Sequence, residues 1–271
     1  HNMSNFPQYR ILKKGIPMLK IIISPAKKMN IIEDYPCGLT TPVFLDRAHS
    51  LHEKLKGMGL AELKNLWGCS DRLAAQNYER LHTYSPEHAL SPALLSYEGI
   101  QYQHIAPSVF TDAQWEYVNS HLSILSGFYG VLSPTDAVIP YRLEMQAKLK
   151  TEQGPDLYGY WGGSLFEELA GSGMTELVNL ASAEYSKAVL PYLTAIPCIT
   201  CIFGEIVDGK VKMKGTQAKI ARGEMVRWMS EKGIEKAEDI REFKELGYRF
   251  RPDLSKTDEY VFTLTAGNPS A

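Results

Sequence analysis

The sequence predicts a mixed α/β (α+β) fold, a single compact domain in which helices surround a central mixed sheet. Three observations lead to this prediction. The aliphatic run Leu19–Ile23 stops at Ser24-Pro25, as expected of a buried central strand that opens into a loop. Helical periodicity dominates the first half of the chain. Strand patterns return after residue 175 and include Asp208-Gly209, the dipeptide typical of a type I′ hairpin.

The remaining elements follow from local signals. Helical patterns occupy residues 43–56, 60–67, 70–82 and 112–125, and the last of these opens with a capping box formed by Thr111 and Gln114. The second half of the chain predicts the strand Glu176–Leu180, a hairpin within Ile196–Lys214, the helix Thr216–Lys232 ending at Gly233, and a last strand pair at Tyr248–Arg251 and Glu259–Leu264.

The chain has 271 residues, of which 44% are hydrophobic and 22% are charged. This is enough to bury a large core. Because no internal repeat or low-complexity linker interrupts it, we assign residues 18–271 to one domain and residues 1–17 to a leader or expression remnant. No stretch approaches the roughly 20 apolar residues of a membrane span, and the first residues lack the apolar core of a signal peptide. We therefore expect a cytoplasmic protein that has no membrane partner.

The four cysteines, at positions 37, 69, 198 and 201, are too few and too irregularly spaced for a disulfide framework. Cys198 and Cys201 form a C-x-x-C within an apolar, β-branched run, where buried structural thiols are expected. The nearest approach to a metal motif is His49 and His52 beside Asp46 and Glu53, which lacks the spacing of a metal site. We expect no metal and no cofactor.

Charge is distributed unevenly along a chain whose net charge is −2. Residues 1–32 contain basic and no acidic side chains, residues 151–186 show the reverse, and residues 209–251 again have an excess of Lys and Arg. Any attraction to nucleic acid must therefore come from a local basic patch. The alternative is that these runs are ordinary solvated faces.

The stretch Leu63–Ala74, LKNLWGCSDRLA, is typical of two short helices joined at a glycine turn, and we assign a helix-hairpin-helix element to about residues 60–82. Backbone N–H groups of Gly68, Cys69 and Ser70 would open the second helix and contact DNA phosphates, with Arg72 adding charge. The alternative is a helical hairpin that only packs in the core.

Polar residues cluster after two predicted strands and in one further segment. Ser24 and Lys27 follow the first strand, at the place where open α/β sheets bind ligands. The segments Pro140–Met145 (PYRLEM) and Asn179–Tyr185 (NLASAEY) add further polar groups: Tyr141, Arg142, Glu144, Asn179, Ser182 and Glu184. Read separately, these are ordinary turn, cap and surface ion-pair residues.

The helix that carries Lys219 and Arg222 gives a sharper prediction. At 100° per residue, Arg222 falls on the apolar arc between Val226 and Met229, so its guanidinium should point inward. An inward guanidinium needs an anionic partner. One hypothesis is an anion cleft built from Lys27, Arg142, Lys219 and Arg222, and the other is an internal salt bridge with Glu144 or Glu184.

Taken together, these segments resemble the YaaA peroxide-stress family from Met18 to about Phe262. The resemblance is carried by seven ordered motifs: Ser24–Lys27, Gly68–Ala74, Leu125–Asp136, Pro140–Met145, Leu157–Trp161, Asn179–Tyr185 and Lys219–Gly223. It implies a cytosolic protein that helps cells survive hydrogen peroxide by limiting free intracellular iron. It also implies binding of duplex and branched DNA through a basic cleft, and a single mixed α/β domain.

Two functional hypotheses remain open. In the first, a stress protein binds DNA phosphates without reading bases, through Gly68, Cys69, Ser70, Arg72, Lys27, Lys28, Lys219 and Arg222. In the second, an enzyme acts on a nucleotide or another phosphorylated small molecule in an anion pocket of Ser24, Lys27, Tyr141, Arg142, Asn179, Ser182 and Arg222. Glu144 or Glu184 would then be the general acid or base. Convergence of these groups in a pocket favours the second hypothesis, and an open basic groove favours the first.

Overall fold

Residues 18–264 are described by a computed structural model, so the predicted leader at residues 1–17 lies outside the described residues. The strands are β1 Leu19–Ile23, β2 Lys28–Met29, β3 Ser91–Pro92, β4 Tyr97–Glu98, β5 Leu122–Ser126, β6 Gly130–Leu132, β7 Ala137–Val138, β8 Glu176–Leu180, β9 Cys198–Val207, β10 Lys210–Lys212, β11 Tyr248–Phe250 and β12 Glu259–Leu264. The α-helices are α1 Leu45–Lys56, α2 Leu60–Trp67, α3 Asp71–Thr83, α4 Ala93–Ser96, α5 Ile100–Ile105, α6 Asp112–His121, α7 Leu157–Trp161, α8 Ser164–Gly171, α9 Ala183–Ser186 and α10 Gly215–Lys232.

A mixed sheet organises these elements and confirms the predicted α/β class. Its strand order is β11-β12-β9-β8-β1-β5-β6, and β10 pairs with β9. The five inner strands β12, β9, β8, β1 and β5 are parallel, whereas β11, β6 and β10 join antiparallel. Every residue of β1 is buried, as expected of a parallel strand covered on both faces.

The connections that follow the adjacent strands β1 and β8 run in opposite directions across the sheet. From β1 the chain passes to β5 on one side, and from β8 it passes to β9 on the other side. The loops that leave the carboxyl ends of β1 and β8 therefore diverge and leave a crevice between them. Open α/β sheets bind their ligands at such switch points.

Several local predictions are confirmed. Thr111 and Gln114 form the capping box of α6. Asp208 and Gly209 take φ values of 52° and 72°, the two left-handed residues that a type I′ turn requires. Helix α10 ends at Gly233, which is left-handed with φ 62°.

The helix predicted over residues 112–125 is wrong in its last turn. Helix α6 ends at His121, and Leu122–Ser126 is the inner strand β5, which pairs parallel with β1. Every residue of β5 is buried. A short apolar run of this kind does not distinguish strand from helix by itself, and pairing with β1 decides the outcome.

None of the helices within residues 18–264 is long and apolar enough to cross a membrane.

Two glycines allow the backbone segments around the crevice to approach closely. A Cβ at Gly223 of α10 would lie 2.2 Å from the carbonyl oxygen of Gln101 in α5. A Cβ at Gly127 would lie 2.6 Å from the carbonyl oxygen of Leu143. These contacts hold α10 and segment 140–146 close to the carboxyl end of the sheet.

We predict that Gly223→Ala destabilises the fold by about 1–3 kcal/mol, because the new methyl group overpacks the α5–α10 contact. Urea denaturation would measure the change. Gly171→Ala at the end of α8 is the matched control, because its Cβ meets no atom within 4 Å. Equal stability of the two variants would show that the α5–α10 contact tolerates a larger separation.

Candidate functional site

A cleft of about 580 Å³ lies beyond the carboxyl ends of β1 and β8, and we call it the switch-point cleft. Its walls come from the loops after these strands, segment 141–146, the start of α5 and the first half of α10. It brings together most of the candidate residues: Ser24, Lys27, Lys28, Tyr141, Arg142, Glu144, Ser182, Glu184, Lys219 and Arg222.

The two loops at the switch point are hydrogen-bonded to each other. The Ser182 backbone N–H donates to Ser24 Oγ at 2.8 Å, and Ser24 Oγ donates to Ser182 Oγ at 3.2 Å. The Tyr102 hydroxyl of α5 donates to the Ser24 carbonyl oxygen at 2.8 Å. These three bonds fix the base of the cleft.

Asn179 differs from the other candidates because it does not line the cleft. Its side chain is buried in β8, where Nδ2 donates to Thr200 Oγ1 at 3.2 Å and Oδ1 accepts from the Ala181 N–H at 3.0 Å. Asn179 therefore shapes the turn that presents Ser182 and Glu184, and its placement in the anion pocket is not supported.

Glu144 attracts two of the cations in the cleft. Lys27 Nζ lies 2.8 Å from Glu144 Oε1, and Arg142 Nη2 lies 4.0 Å from Glu144 Oε2. The Lys27 side chain is 65% exposed, whereas that of Arg142 is only 9% exposed. The Nε of Arg142 is buried and has no hydrogen-bond partner among the described residues.

Arg222 points inward, as its helical position predicts, and lines the cleft. The predicted salt bridge with Glu144 or Glu184 is absent from the described residues, because Glu144 is paired with Lys27 and Arg142 instead. The buried Nε of Arg222 has no hydrogen-bond partner within residues 18–264. Burial lowers the pKa of the Arg222 guanidinium, because water is replaced without a carboxylate to compensate.

Glu184 is the carboxyl group most affected by the cleft. Its Oε1 accepts a hydrogen bond from the Gln146 N–H at 3.3 Å. Burial raises the pKa of Glu184, and the negative charge of Glu144 raises it further. A carboxyl group with a raised pKa can donate or accept a proton closer to neutral pH than an exposed glutamate.

A chain of hydroxyl groups lies behind the cleft. The Tyr141 hydroxyl is 2.7 Å from that of Tyr97 and 2.6 Å from Ser126 Oγ, and Ser126 Oγ also accepts from the backbone N–H groups of Phe128 and Tyr129. Burial raises the pKa of Tyr141 to about 12. Tyr141 therefore stays protonated at neutral pH and presents a fixed, neutral ring to the cleft.

Several cleft residues were missed by sequence reasoning, among them Glu98, Gln146, Gln101 and Tyr102. Gln101 and Tyr102 lie at the start of α5 and line the cleft, and Gln101 Nε2 is buried without a hydrogen-bond partner among the described residues. Nothing in the local sequence marks these positions, because α5 reaches the cleft through tertiary contacts, namely its packing on α10 and the Tyr102 hydrogen bond to Ser24.

The stretch predicted to form a helix-hairpin-helix element contains two helices joined at a glycine turn. Helices α2 and α3 are joined through Gly68, which is left-handed with φ 55°, and Ser70 caps α3 by accepting from the Leu73 N–H at 3.4 Å. Leu63 and Ala74 are buried. Gly68, Ser70 and Arg72 are exposed, and Cys69 is half-buried. The helices thus pack in the core while the turn faces solvent.

A second depression of about 640 Å³ runs from the hairpin turn to residues 144–148, and we call it the hairpin trough. Trp67 and Gly68 lie at one end of this trough. Lys27, Glu144 and Gln146 line both the trough and the switch-point cleft. The exposed turn and the half-buried arginines therefore border two adjoining depressions.

The cysteines of the protein are unpaired thiols, and their surroundings differ. Cys201 is buried and Cys198 is half-buried, and burial raises the pKa of Cys198 to about 11. All four cysteines are free. Among residues 18–264, no group of three or more His, Cys, Asp or Glu side chains is arranged to hold a metal ion.

One family model and several relatives each match most of the chain. The family model described as "Peroxide stress protein YaaA" matches residues 19–254. A UPF0246 protein of Desulfitobacterium hafniense (strain Y51) is 50% identical over 245 residues, which are 90% of this chain and 97% of the relative. A UPF0246 protein of Pediococcus pentosaceus is 48% identical over 245 residues, with the same coverage.

We predict that Glu184→Gln changes the pH dependence of stability. Folding raises the pKa of Glu184, so its contribution to stability is complete below the unfolded pKa and is lost as pH rises through the folded pKa. Glutamine keeps the acceptor for the Gln146 N–H but has no charge. Thermal denaturation should therefore show the variant gaining stability relative to wild type as pH rises from acidic to neutral.

Glu242→Gln, at an exposed position, is the control for this measurement. A parallel pH response of the Glu184 and Glu242 variants would contradict the raised pKa.

Proposed function

Because this chain belongs to the peroxide stress protein YaaA family, we propose that it acts in the response to peroxide by binding a nucleotide-type anion in the switch-point cleft. The family supports the stress role, and the geometry of the cleft supports the ligand class. The cysteines are sparse and unpaired, which supports placing this role in the cytoplasm.

The proposal rests mainly on Arg222. Its side chain is half-buried, its buried Nε has no hydrogen-bond partner, and it borders the cleft without a carboxylate partner within the described residues. Partial burial without a compensating carboxylate disfavours the charged guanidinium. A phosphate or carboxylate group in the cleft would offset this cost through charge-assisted hydrogen bonds, which are strong when the donor is a guanidinium.

Size and lining favour a nucleotide over a bare anion. The volume of about 580 Å³ lies within the range of about 300–1,000 Å³ typical of small-molecule sites. Arg142, Lys219 and Arg222 supply positive charge, and Tyr102, Tyr141 and Tyr185 supply aromatic surface. Aromatic rings stack on nucleobases irrespective of base identity.

The same lining provides groups for acid–base chemistry, which keeps the enzyme hypothesis open. Glu184 has a raised pKa and borders the cleft. Glu144 lies beside it and shares its charge with Lys27. If the bound molecule is a substrate, Glu184 is the better candidate for a proton-transferring residue, because its proton is held closer to neutral pH.

DNA binding through the hairpin is the second candidate function. It is favoured by the hairpin trough, which connects the exposed turn at Gly68 with Lys27 at the rim of the cleft. Phosphates lying against the turn would meet backbone N–H groups at the start of α3, with Arg72 close by in the first turn. Such contacts give affinity without base readout.

We further propose that any limitation of free iron is indirect. No group of metal-ligating side chains is assembled within residues 18–264. A protein that protects DNA or processes a nucleotide under stress would change iron-dependent damage without binding iron itself.

For the cleft, we predict that Arg222→Met weakens binding of a nucleoside monophosphate by about tenfold or more, the scale of one desolvated charge-assisted contact. Isothermal titration calorimetry with AMP and with pyrophosphate would measure this. Arg227→Met is the matched control on the same helix, because Arg227 pairs with Glu231 at 2.9 Å outside the cleft lining. Equal affinity of wild type and Arg222→Met, or no binding to wild type, would contradict the proposal.

For the hairpin, we predict that Arg72→Glu abolishes salt-sensitive binding to labelled duplex and four-way junction DNA in fluorescence anisotropy, because it places negative charge where phosphates should lie. Lys236→Glu makes the same charge change at an exposed position near Glu176, at the amino end of β8. Equal loss in both variants would indicate a diffuse charge effect and would contradict the role of the hairpin.

A further inference from the structure

A small internal cavity lies behind one wall of the switch-point cleft, and we call it the rear cavity. Its volume is about 10 Å³, and its polar lining residues are His52 of α1, Trp67 of α2, Asn77 of α3, Tyr141 and Arg142. Tyr141 and Arg142 line the cleft as well. The rear cavity therefore borders the same segment of chain that forms the cleft wall.

Several polar groups around the rear cavity lack partners. Within residues 18–264, both ring nitrogens of His52, Trp67 Nε1 and Arg142 Nε are buried without a hydrogen-bond partner. Glu53 Oε1 lies 3.6 Å from His52 Nδ1, which is too far for a hydrogen bond. His52 is 3% exposed and Trp67 is 4% exposed, so neither is open to bulk solvent. Buried polar groups of this kind are usually satisfied by ordered water.

The size of the rear cavity and the chemistry of its lining fit one water molecule. A space of about 10–15 Å³ holds one water, provided that two to four polar groups surround it. Indole and guanidinium N–H groups can only donate, so Trp67 Nε1 and Arg142 Nε would use both lone pairs of a water. The water then needs an acceptor for at least one of its protons, and a neutral imidazole has one acceptor nitrogen.

His52 is suited to this acceptor role because its ring is kept neutral. Burial lowers the pKa of His52, and the positive charge of Lys56 lowers it further. Glu53 and the Leu81 carbonyl raise the pKa but do not reverse the shift. At neutral pH the imidazole therefore carries a proton on one nitrogen only, and the other nitrogen can accept a hydrogen bond.

Arg142 connects the rear cavity to the cleft. Its side chain is 9% exposed, its Nε is buried, and its Nη2 lies 4.0 Å from Glu144 Oε2. At that distance the ion pair contains no direct hydrogen bond, so Glu144 does not fix the orientation of the guanidinium. Because the guanidinium is planar and rigid, a hydrogen bond at Nε sets the direction of both terminal nitrogens.

We propose that the rear cavity is a site for one internal water, which accepts hydrogen bonds from Trp67 Nε1 and Arg142 Nε and donates one to a ring nitrogen of His52. His52 is thereby a positioning residue, because it orients the water and the water orients Arg142 toward the cleft. This inference goes beyond the proposed function, since it concerns what holds Arg142 in place and not what the cleft binds.

The water is tested by nuclear magnetic resonance on the isotope-labelled wild-type protein, at neutral pH and without ligand. We expect Trp67 Nε1–H and Arg142 Nε–H to show cross peaks to water whose sign is opposite in NOESY and ROESY spectra, which distinguishes a bound water from proton exchange. Trp67→Phe and Arg142→Met assign the two signals. Trp161 Nε1–H, which donates to the Gly127 carbonyl oxygen at 3.0 Å, is the internal control and should show no such peak.

The positioning role is tested by His52→Phe, which keeps a ring but removes both nitrogens. We expect Arg142 Nε–H to exchange with solvent faster by roughly fivefold or more, the scale of one hydrogen bond. His52→Asn places a polar atom near the position of Nδ1, and His52→Gln places one near that of Nε2. One of these two variants should restore slow exchange and identify the accepting nitrogen. His82→Phe, at an exposed position of α3, should leave the signal unchanged.

Two results would overturn the proposal. Absence of both water cross peaks in wild type would show that the rear cavity holds no long-lived water, and this result needs no variant to fold. Unchanged Arg142 exchange in a folded His52→Phe would show that His52 does not position the guanidinium. If His52→Phe does not fold, the Asn and Gln variants decide the same question. Equal Arg142 exchange rates in these two variants would contradict a water bonded to one ring nitrogen of His52.

Discussion

The structure depends on the burial of β1 between two parallel neighbours. Each residue of this strand is buried, so its backbone groups must be satisfied by β5 and β8. Parallel pairing aligns the carboxyl ends of the three strands, and the opposite courses of the chain after β1 and β8 open a crevice there. The switch-point cleft is thus a consequence of how the central strand is buried.

Within this crevice, cations outnumber carboxylates. The positively charged residues of the lining are Lys27, Lys28, Arg142, Lys219 and Arg222, and the negatively charged ones are Glu98, Glu144 and Glu184. Two of the exposed lysines pair with carboxylates, since Lys27 contacts Glu144 at 2.8 Å and Lys28 contacts Glu98 at 2.7 Å. The more deeply placed Arg222 has no carboxylate partner within residues 18–264. Partial burial strengthens electrostatic interactions. The positive charge of Arg222 therefore attracts an anionic ligand most strongly in the part of the cleft where that ligand would lose most of its hydration.

Much of the fold and part of the candidate site follow from the sequence, for reasons that differ between residues. Gly233, Asp208-Gly209 and the Thr111–Gln114 cap were recognisable because each acts within a few residues of itself. Arg222 was recognisable because helical periodicity alone sets its direction. The end of α6 was not recognisable from the sequence. The buried run that follows α6 becomes strand β5 only because it pairs with β1.

The sequence by itself determined the local conformations, the mixed α/β class and the inward direction of Arg222, because these depend on neighbours along the chain. Tertiary structure alone decided which polar residues meet. The side chain of Asn179 bonds to Thr200 within the sheet, and Gln101 and Tyr102 line the cleft. Glu144 pairs with Lys27. These outcomes depend on how parallel strands are ordered and on how closely α10 approaches α5 through Gly223. Such contacts join residues far apart in sequence, and no local pattern encodes their distances.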